Sequence, residues 1–144
     1  MNKPTEPNII KACIAMSISL EVAKLSPDER KGVGATVFRT NTGRISSYSF
    51  NSKPHYSKNY TSCVNLKTGM SQEDLGHAEI KAIVLGGLKQ AILPKKESIS
   101  VTSAPCVRCG GIIALAQMNH VYYLDPHDEL EGVRVLKEDY GIEC

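Results

Sequence analysis

The chain has 144 residues, a length that fits one domain over residues 1–144 with a hydrophobic core of its own. Apolar residues make up 42% of the chain and the net charge is only +2, which argues against a long nucleic acid as partner, and no apolar run reaches the roughly 18 residues that a membrane span requires. Because residues 1–10 lack the basic-then-apolar layout of a secretory signal, we expect a cytoplasmic protein whose five cysteines are reduced.

The first half of the chain is predicted to form a helix, a β-hairpin and a long loop. Apolar residues recur every fourth position near the N-terminus, which is typical of a helical stripe packed against a core. The stripe consists of Ile10, Ile14, Ile18 and Val22. Residues 33–40 and 43–50 are β-rich and separated by a short turn, as in an antiparallel hairpin. Residues 52–75 show little periodicity and are predicted to form a loop, which at this length is usually functional.

Helices and strands alternate in the second half. Residues 77–88 show a helical pattern, and Gly86 and Gly87 are expected to terminate it. Gly141 is expected to close the last helix. The segments between them are predicted as a strand at 98–103, a helix at 106–117, a strand at 120–125 and a helix at 128–141. Strand–helix–strand units require parallel neighbours and right-handed crossovers. The predicted fold class is therefore α/β, a three-layer α/β/α arrangement whose mixed central sheet has an N-terminal antiparallel hairpin at one end.

Two short motifs at predicted helix starts carry candidate metal ligands. His77 opens one helix, and Cys106 and Cys109 open another, where the helix dipole favours thiolates. Imidazole and thiolate suit tetrahedral Zn²⁺, and three protein ligands leave the fourth position for water, as in a catalytic site. Glu79 follows His77 by two residues, so it can reach that water without binding the metal. The sequence therefore predicts one catalytic zinc per chain with Glu79 as general base.

Other interpretations of the cysteine pair remain open. Cys106 and Cys109 alone are also typical of a structural zinc knuckle, or of a pair without a function. A non-catalytic binding domain that uses zinc only for folding is a further alternative. Glu79 argues against that alternative, because a purely structural site needs no base beside an open position.

The combined pattern resembles a known family. His77 and Glu79 form H-x-E, and residues 105–109 form P-C-x-x-C, which together resemble the signature of the zinc nucleoside and nucleotide deaminases. Free cytidine deaminases typically have a cysteine where His77 stands. The long stretch between Asn51 and His77, and the sequence R-K-G-V-G-A at 30–35, are similar to the deoxycytidylate (dCMP) deaminases. The resemblance implies a cytidine-deaminase-like fold with a mixed sheet flanked by helices.

The resemblance also implies an activity. A dCMP deaminase hydrolyses dCMP to dUMP and ammonia by attack of activated water on C4, and Glu79 would take the water proton and deliver one to N3. The base would contact backbone near Ala78 and Ala104, and Asn51 would contact base or sugar, unless it only caps the strand end. Lys53 is a candidate phosphate ligand. The alternative is a tRNA-editing deaminase, or another nucleoside or base deaminase, with the same chemistry.

Other features bear on partners and regulation. Ser49 and Ser52 replace both glycines of a turn that, in the family, contributes to the site for the effectors dCTP and dTTP, so we expect a weak response to them. A second, structural zinc at His55 and Cys63 remains open. Family members form dimers to hexamers, so we expect a homo-oligomer. An apolar stripe after the cysteine motif could lie in the core or in the contact between subunits; it consists of Ile112, Ile113 and Leu115.

Overall fold

A computed structural model describes residues 6–28, 30–53, 76–88, 93–126 and 130–144. Within these ranges the elements follow the predicted order α-β-β-α-β-α-β-α. They are α1 (Glu6–Ala23), β1 (Gly34–Arg39), β2 (Ile45–Phe50), α2 (Ala78–Leu88), β3 (Glu97–Ser103), α3 (Val107–Leu115), β4 (Val121–Asp125) and α4 (Glu131–Tyr140). Over the same ranges, no helix combines the length and apolar character needed to cross a bilayer.

The strands form one mixed sheet in the order β2-β1-β3-β4. The hairpin of β1 and β2 is antiparallel, and β1 is also antiparallel to β3. β3 and β4 are parallel and are connected through α3, which is the crossover unit that the sequence predicts. The mixed sheet with its hairpin at one edge is therefore confirmed.

Helices cover both faces of this sheet, as the sequence predicts. On one face, alternate residues of β1 and β3 pack with α2, α3 and α4. This core includes Ala35, Val37, Ala78, Ala82, Ile99, Val101, Ile113 and Leu136. On the other face, Phe38 packs against Ala12 and Ala15 of α1. The result is the predicted three-layer α/β/α fold, with α1 alone on its side among the described helices.

The buried face of α1 differs from the predicted stripe. Ile10 and Ile14 are each 57% exposed, so these two members of the stripe do not pack in the core. The residues that α1 buries are Ala12, Ala15, Met16, Ser19 and Val22. A four-residue repeat advances about 40° around a helix at each step, so the stripe winds away from any single face. Small residues face the sheet instead, and the Ser19 hydroxyl lies 2.8 Å from that of Thr36.

The glycines near the ends of two helices behave differently. The predicted end of α2 at Gly86 and Gly87 is wrong, because the helix continues through both to Leu88. Gly141 does close α4, as predicted: its φ is +64°, a left-handed conformation that glycine adopts without strain. The next N–H, that of Ile142, donates to the Leu136 carbonyl at 2.9 Å, which completes the C-terminal cap. Helical backbone is accessible to glycine, so a Gly-Gly pair alone does not stop a helix.

Asn51, directly after β2, holds the segment that leads into β1. Its Oδ1 accepts the Val33 N–H at 2.7 Å, and its Nδ2 donates to Asp28 Oδ2 at 3.1 Å and to the Lys31 carbonyl at 2.9 Å. The Ser26 hydroxyl donates to the Asn51 carbonyl at 2.7 Å. One amide side chain thereby joins the end of the hairpin to the connection between α1 and β1.

Replacing Asn51 by aspartate keeps the side-chain shape but removes both donated hydrogen bonds and sets a carboxylate against Asp28. We expect Asn51→Asp to lower the free energy of unfolding in urea by about 2–3 kcal/mol. Adding Asp28→Asn, which supplies a donor to the new carboxylate, should restore about half of the loss. An unchanged urea midpoint for Asn51→Asp would show that these bonds do not stabilise the connection.

Candidate metal centre

The two predicted motifs meet at the carboxyl end of β3. His77 directly precedes α2, while Cys106 is the N-cap residue of α3 with an extended backbone (φ −73°, ψ 172°). Cys109 lies in the first turn of α3, and its N–H points to Cys106 Sγ at 3.5 Å. Because α2 and α3 pack on the same face of the sheet and begin at the same end, the structure brings the three predicted ligands together.

The ligand atoms of this group have a spacing suited to one ion. His77 Nδ1 lies 3.2 Å from Cys109 Sγ and 3.7 Å from Cys106 Sγ, and all three atoms lie within 4.8 Å of one another. Tetrahedral zinc with ordinary bonds to sulfur and nitrogen keeps its ligand atoms about 3.5–3.8 Å apart. The donor set and its dimensions therefore fit Zn²⁺.

Hydrogen bonds prepare one thiol of the group for a cation. The pKa of Cys106 is lowered to about 3, first by a hydrogen bond from the Cys109 side chain and then by one from His77. The pKa of Cys109 is raised, chiefly by the same bond to Cys106 and by burial. Cys106 is therefore a thiolate at neutral pH, the form in which cysteine binds metals.

Glu79 lies beside this group in the first turn of α2. Its side chain is buried, with 4% of the residue exposed, and Oε2 lies 3.7 Å from Cys109 Sγ. Burial is the main cause that raises the pKa of Glu79, although its own backbone N–H and His77 oppose the shift. A buried carboxyl with a raised pKa next to a metal site is suited to accept and return a proton near neutral pH.

The predicted backbone contacts for a base lie at the same end of the sheet. Ala78 is the first residue of α2 and is fully buried, and its N–H belongs to the helix start, where no intrahelical acceptor exists. The Ala104 N–H donates to the Asp125 carbonyl at 2.8 Å, between the ends of β3 and β4. A base would therefore have to meet Ala104 through its carbonyl oxygen.

Asn51 and Lys53, the other predicted substrate ligands, are both buried just after β2. The hydrogen bonds of the Asn51 amide to Val33, Asp28 and Lys31 mean that a substrate contact would have to replace one of them. Lys53 is 5% exposed and is the last described residue before residue 76. The roles of Asn51 and Lys53 stay predictions, and the second zinc site at His55 and Cys63 lies outside the described residues.

The sequence analysis did not identify Lys81, which holds the backbone of the residues at 50–52 close to His77. Its ammonium donates to the Phe50 carbonyl at 2.8 Å and to the Ser52 hydroxyl, and it lies 4.6 Å from the centre of the Phe50 ring. Ser52 and Gly76 exchange two backbone hydrogen bonds of 3.0 and 2.9 Å directly before His77. The available signal was spacing, because residue 81 lies one helical turn after residue 77.

The two serines that replace the family's glycines are buried. Ser49 is 5% exposed within β2, and Ser52 is fully buried. Within the described ranges, left-handed backbone at a residue other than glycine occurs at Lys95, Gln117 and Leu130, so neither serine is strained in that way. The expected weak response to dCTP and dTTP stays a prediction.

Comparisons with known proteins place this site in a family. The sequence profile described as "Cytidine and deoxycytidylate deaminase zinc-binding region" matches residues 10–125. A comparison with curated protein sequences finds no match. Among solved structures, the chain is similar to the dCMP deaminase from the cyanophage S-TIM5 in complex with dCMP and dUMP, with 26% identity, a TM-score of 0.77 and 96% of each chain covered.

More distant structures share the fold. A diaminohydroxyphosphoribosylaminopyrimidine deaminase/reductase from Thermotoga maritima has 21% identity and a TM-score of 0.69 over 96% of this chain and 36% of that one. A tRNA:A34 deaminase has 23% identity and a TM-score of 0.55 over 80% and 77% of the two chains. The matched profile spans most of the sequence, including His77, Glu79, Cys106 and Cys109. The chain therefore belongs to the cytidine and deoxycytidylate deaminase family.

Proposed function

We propose that the chain is a zinc-dependent enzyme that hydrolyses dCMP to dUMP and ammonia. The proposal rests on one observation above all: the buried Glu79 carboxyl lies beside the ligand atoms of His77, Cys106 and Cys109. A structural zinc site has no use for such a group, whereas hydrolysis of an amine needs a proton carrier. The likeness to a dCMP deaminase over 96% of each chain supports the substrate.

The residues divide the work between binding a metal and moving protons. His77, Cys106 and Cys109 would hold Zn²⁺, which when bound supplies Lewis-acid activation of a water molecule. Glu79 would take one proton of the attacking water and deliver it to N3 of the cytosine as the water oxygen bonds to C4. Glu79 would then carry the second proton of the water to the exocyclic nitrogen, so that the C4–N bond breaks and ammonia leaves. One dCMP and one water become one dUMP and one ammonia.

Base recognition is assigned to backbone next to these side chains. Ala78 would offer its N–H and Ala104 its carbonyl oxygen, which together match the acceptor and donor edge of a pyrimidine. Lys53 would bind the 5′-phosphate, since charge-assisted bonds to phosphate are strong. Asn51 would contact base or sugar if one of its internal hydrogen bonds is exchanged.

The alternative hypothesis is a nucleic-acid substrate. The tRNA:A34 deaminase shares the fold, and its class carries out related chemistry on an extruded base. A net charge of only +2 disfavours it, because an RNA substrate requires a basic track beside the pocket. The assay below therefore includes an RNA hairpin.

The proposal also covers the domain organisation, the oligomeric state and the cellular location of the chain. We propose a single domain over residues 1–144, a homo-oligomer and a cytoplasmic location. Ile113 belongs to the core, whereas Leu115 is 78% exposed and Leu88 is 77% exposed, which leaves apolar surface for contact between copies. Cys13, Cys106, Cys109 and Cys144 are free cysteines in the described part of the chain.

Metal analysis of the purified chain should give about one zinc per chain. Cys106→Ala should lose most of this zinc because it removes the thiolate of the ligand set. Cys13→Ala, a change at an exposed cysteine of α1, is the matched control and should keep it. Full zinc content in Cys106→Ala would contradict the ligand assignment.

Glu79→Gln keeps the size of the side chain but cannot carry a proton. We expect the variant to fold and bind zinc like the parent, with turnover of dCMP reduced about 10²–10⁴-fold. Glu21→Gln, on the exposed surface of α1, should keep parental turnover. If Glu79→Gln works within about threefold of the parent, Glu79 is not the proton carrier.

Ammonia release tests the substrate directly. The chain is incubated with dCMP, CMP, deoxycytidine or an adenosine-containing tRNA hairpin, and kcat/KM is compared. We expect dCMP to exceed deoxycytidine by at least about tenfold, because the phosphate adds a charge-assisted contact. Equal efficiency on both would contradict a nucleotide site, and faster release from the hairpin would favour the tRNA-editing alternative.

A further inference from the structure

The first turn of α4 lies directly against the peptide that carries Cys106. A Cβ atom on Gly132 would lie 2.1 Å from the Pro105 carbonyl oxygen and 2.6 Å from both the carbonyl carbon and oxygen of Cys106. Cβ atoms in real proteins essentially never come within 3.0 Å of such atoms. Any side chain at residue 132 would therefore force either this peptide or α4 to move.

The groups on both sides of the contact between Gly132 and Cys106 are themselves held in place. Pro105 is fully buried, and the Cys106 carbonyl accepts the Gly110 N–H at 2.8 Å. A Cβ on Gly110 would lie 3.2 Å from the Gly132 carbonyl oxygen, so α3 and α4 cross closely at these two glycines. Leu136, one turn after Gly132, is fully buried and anchors α4 in the core. Neither helix has room to withdraw without disturbing the core.

Among the three ligands, Cys106 depends most on this support. Cys109 lies inside α3 and is held by the backbone hydrogen bonds of that helix. Cys106 is the N-cap residue, with an extended backbone outside the helix, so its position is set by the few contacts of its own peptide. The Gly132 contact acts on this peptide from the side of α4.

We propose that Gly132 is a positioning residue for the metal centre. The close approach of α4 fixes the carbonyl groups of Pro105 and Cys106, on both sides of the Cys106 Cα, and thereby the distance from Cys106 Sγ to His77 Nδ1 and to Cys109. This role rests on the proposed zinc site, and it assigns to α4 a part in metal binding although none of its described residues is among the ligands. A Cβ at residue 132 would press on the backbone of Cys106 and not directly on that of His77 or Cys109.

The test compares zinc affinity, measured by competition with a chelator, in the parent and in Gly132→Ala. We expect affinity to fall about 10–100-fold, the range found when residues that orient metal ligands are changed. The cobalt derivative should also show altered thiolate-to-metal charge-transfer absorption, because one thiolate has moved. Two controls separate position from stability. Gly111→Ala adds a methyl group to α3 with nothing within 4 Å, and Val133→Ala weakens the packing of α4 without adding an atom.

The outcomes distinguish this inference from the proposed function. A parent chain that binds no zinc contradicts the proposed function itself. If the parent binds zinc and Gly132→Ala matches its affinity and cobalt spectrum, the positioning role is wrong. It is also wrong if Val133→Ala loses as much zinc affinity at the same loss of thermal stability.

A second variant covers the case in which Gly132→Ala does not fold. Gly110→Ala presses on the same helix crossing more gently, since its Cβ would lie 3.2 Å from the Gly132 carbonyl oxygen. We expect a smaller fall in zinc affinity, still larger than that of Gly111→Ala. Equal affinities in these two variants would overturn the inference.

Discussion

The site depends on two helices that begin at the same end of one sheet. His77 and Cys106 are 29 residues apart in sequence, yet their ligand atoms lie 3.7 Å apart because α2 and α3 both start at the end of the sheet where β2 and β3 have their carboxyl ends. Open α/β sheets bind ligands at this end, where loops and helix starts converge. In this chain each helix start also carries a ligand, so the packing of α2 against α3 sets the geometry of the metal centre.

The same arrangement brings the positive ends of two helix dipoles close to the acidic groups Cys106 and Glu79. The N–H groups of two helix starts face the Cys106 thiolate and the buried Glu79 carboxyl. Burial opposes ionisation of Glu79 while hydrogen bonds favour ionisation of Cys106, so these two acidic groups of one site have pKa values shifted in opposite directions. A thiolate suits a metal ligand, and a buried carboxyl with a raised pKa suits proton exchange.

Local patterns predicted the elements and the ligand group, because strand alternation, helix starts and the H-x-E and P-C-x-x-C spacings depend on neighbouring residues. The face that α1 buries could not be predicted in the same way. Which side of a helix packs depends on the sheet it meets, and small residues such as Ala12, Ala15 and Ser19 allow a closer approach than the isoleucines. Spacing placed Lys81 one turn after His77, but its contacts with Phe50 and Ser52, like the contact of Gly132 with Pro105 and Cys106, join segments distant in sequence and could not be predicted.

A backbone bridge joins Ser52 to Gly76 directly before His77. The bridge has two backbone hydrogen bonds, and the Lys81 ammonium of α2 donates to the Phe50 carbonyl and to the Ser52 hydroxyl beside it. His77 is therefore positioned by the bridge, whatever sequence lies between the two ends. Closing a longer loop costs little, about 0.6 kcal/mol for each doubling of its length. Lengthening the connection from Ser52 to Gly76 would therefore weaken this bridge only slightly.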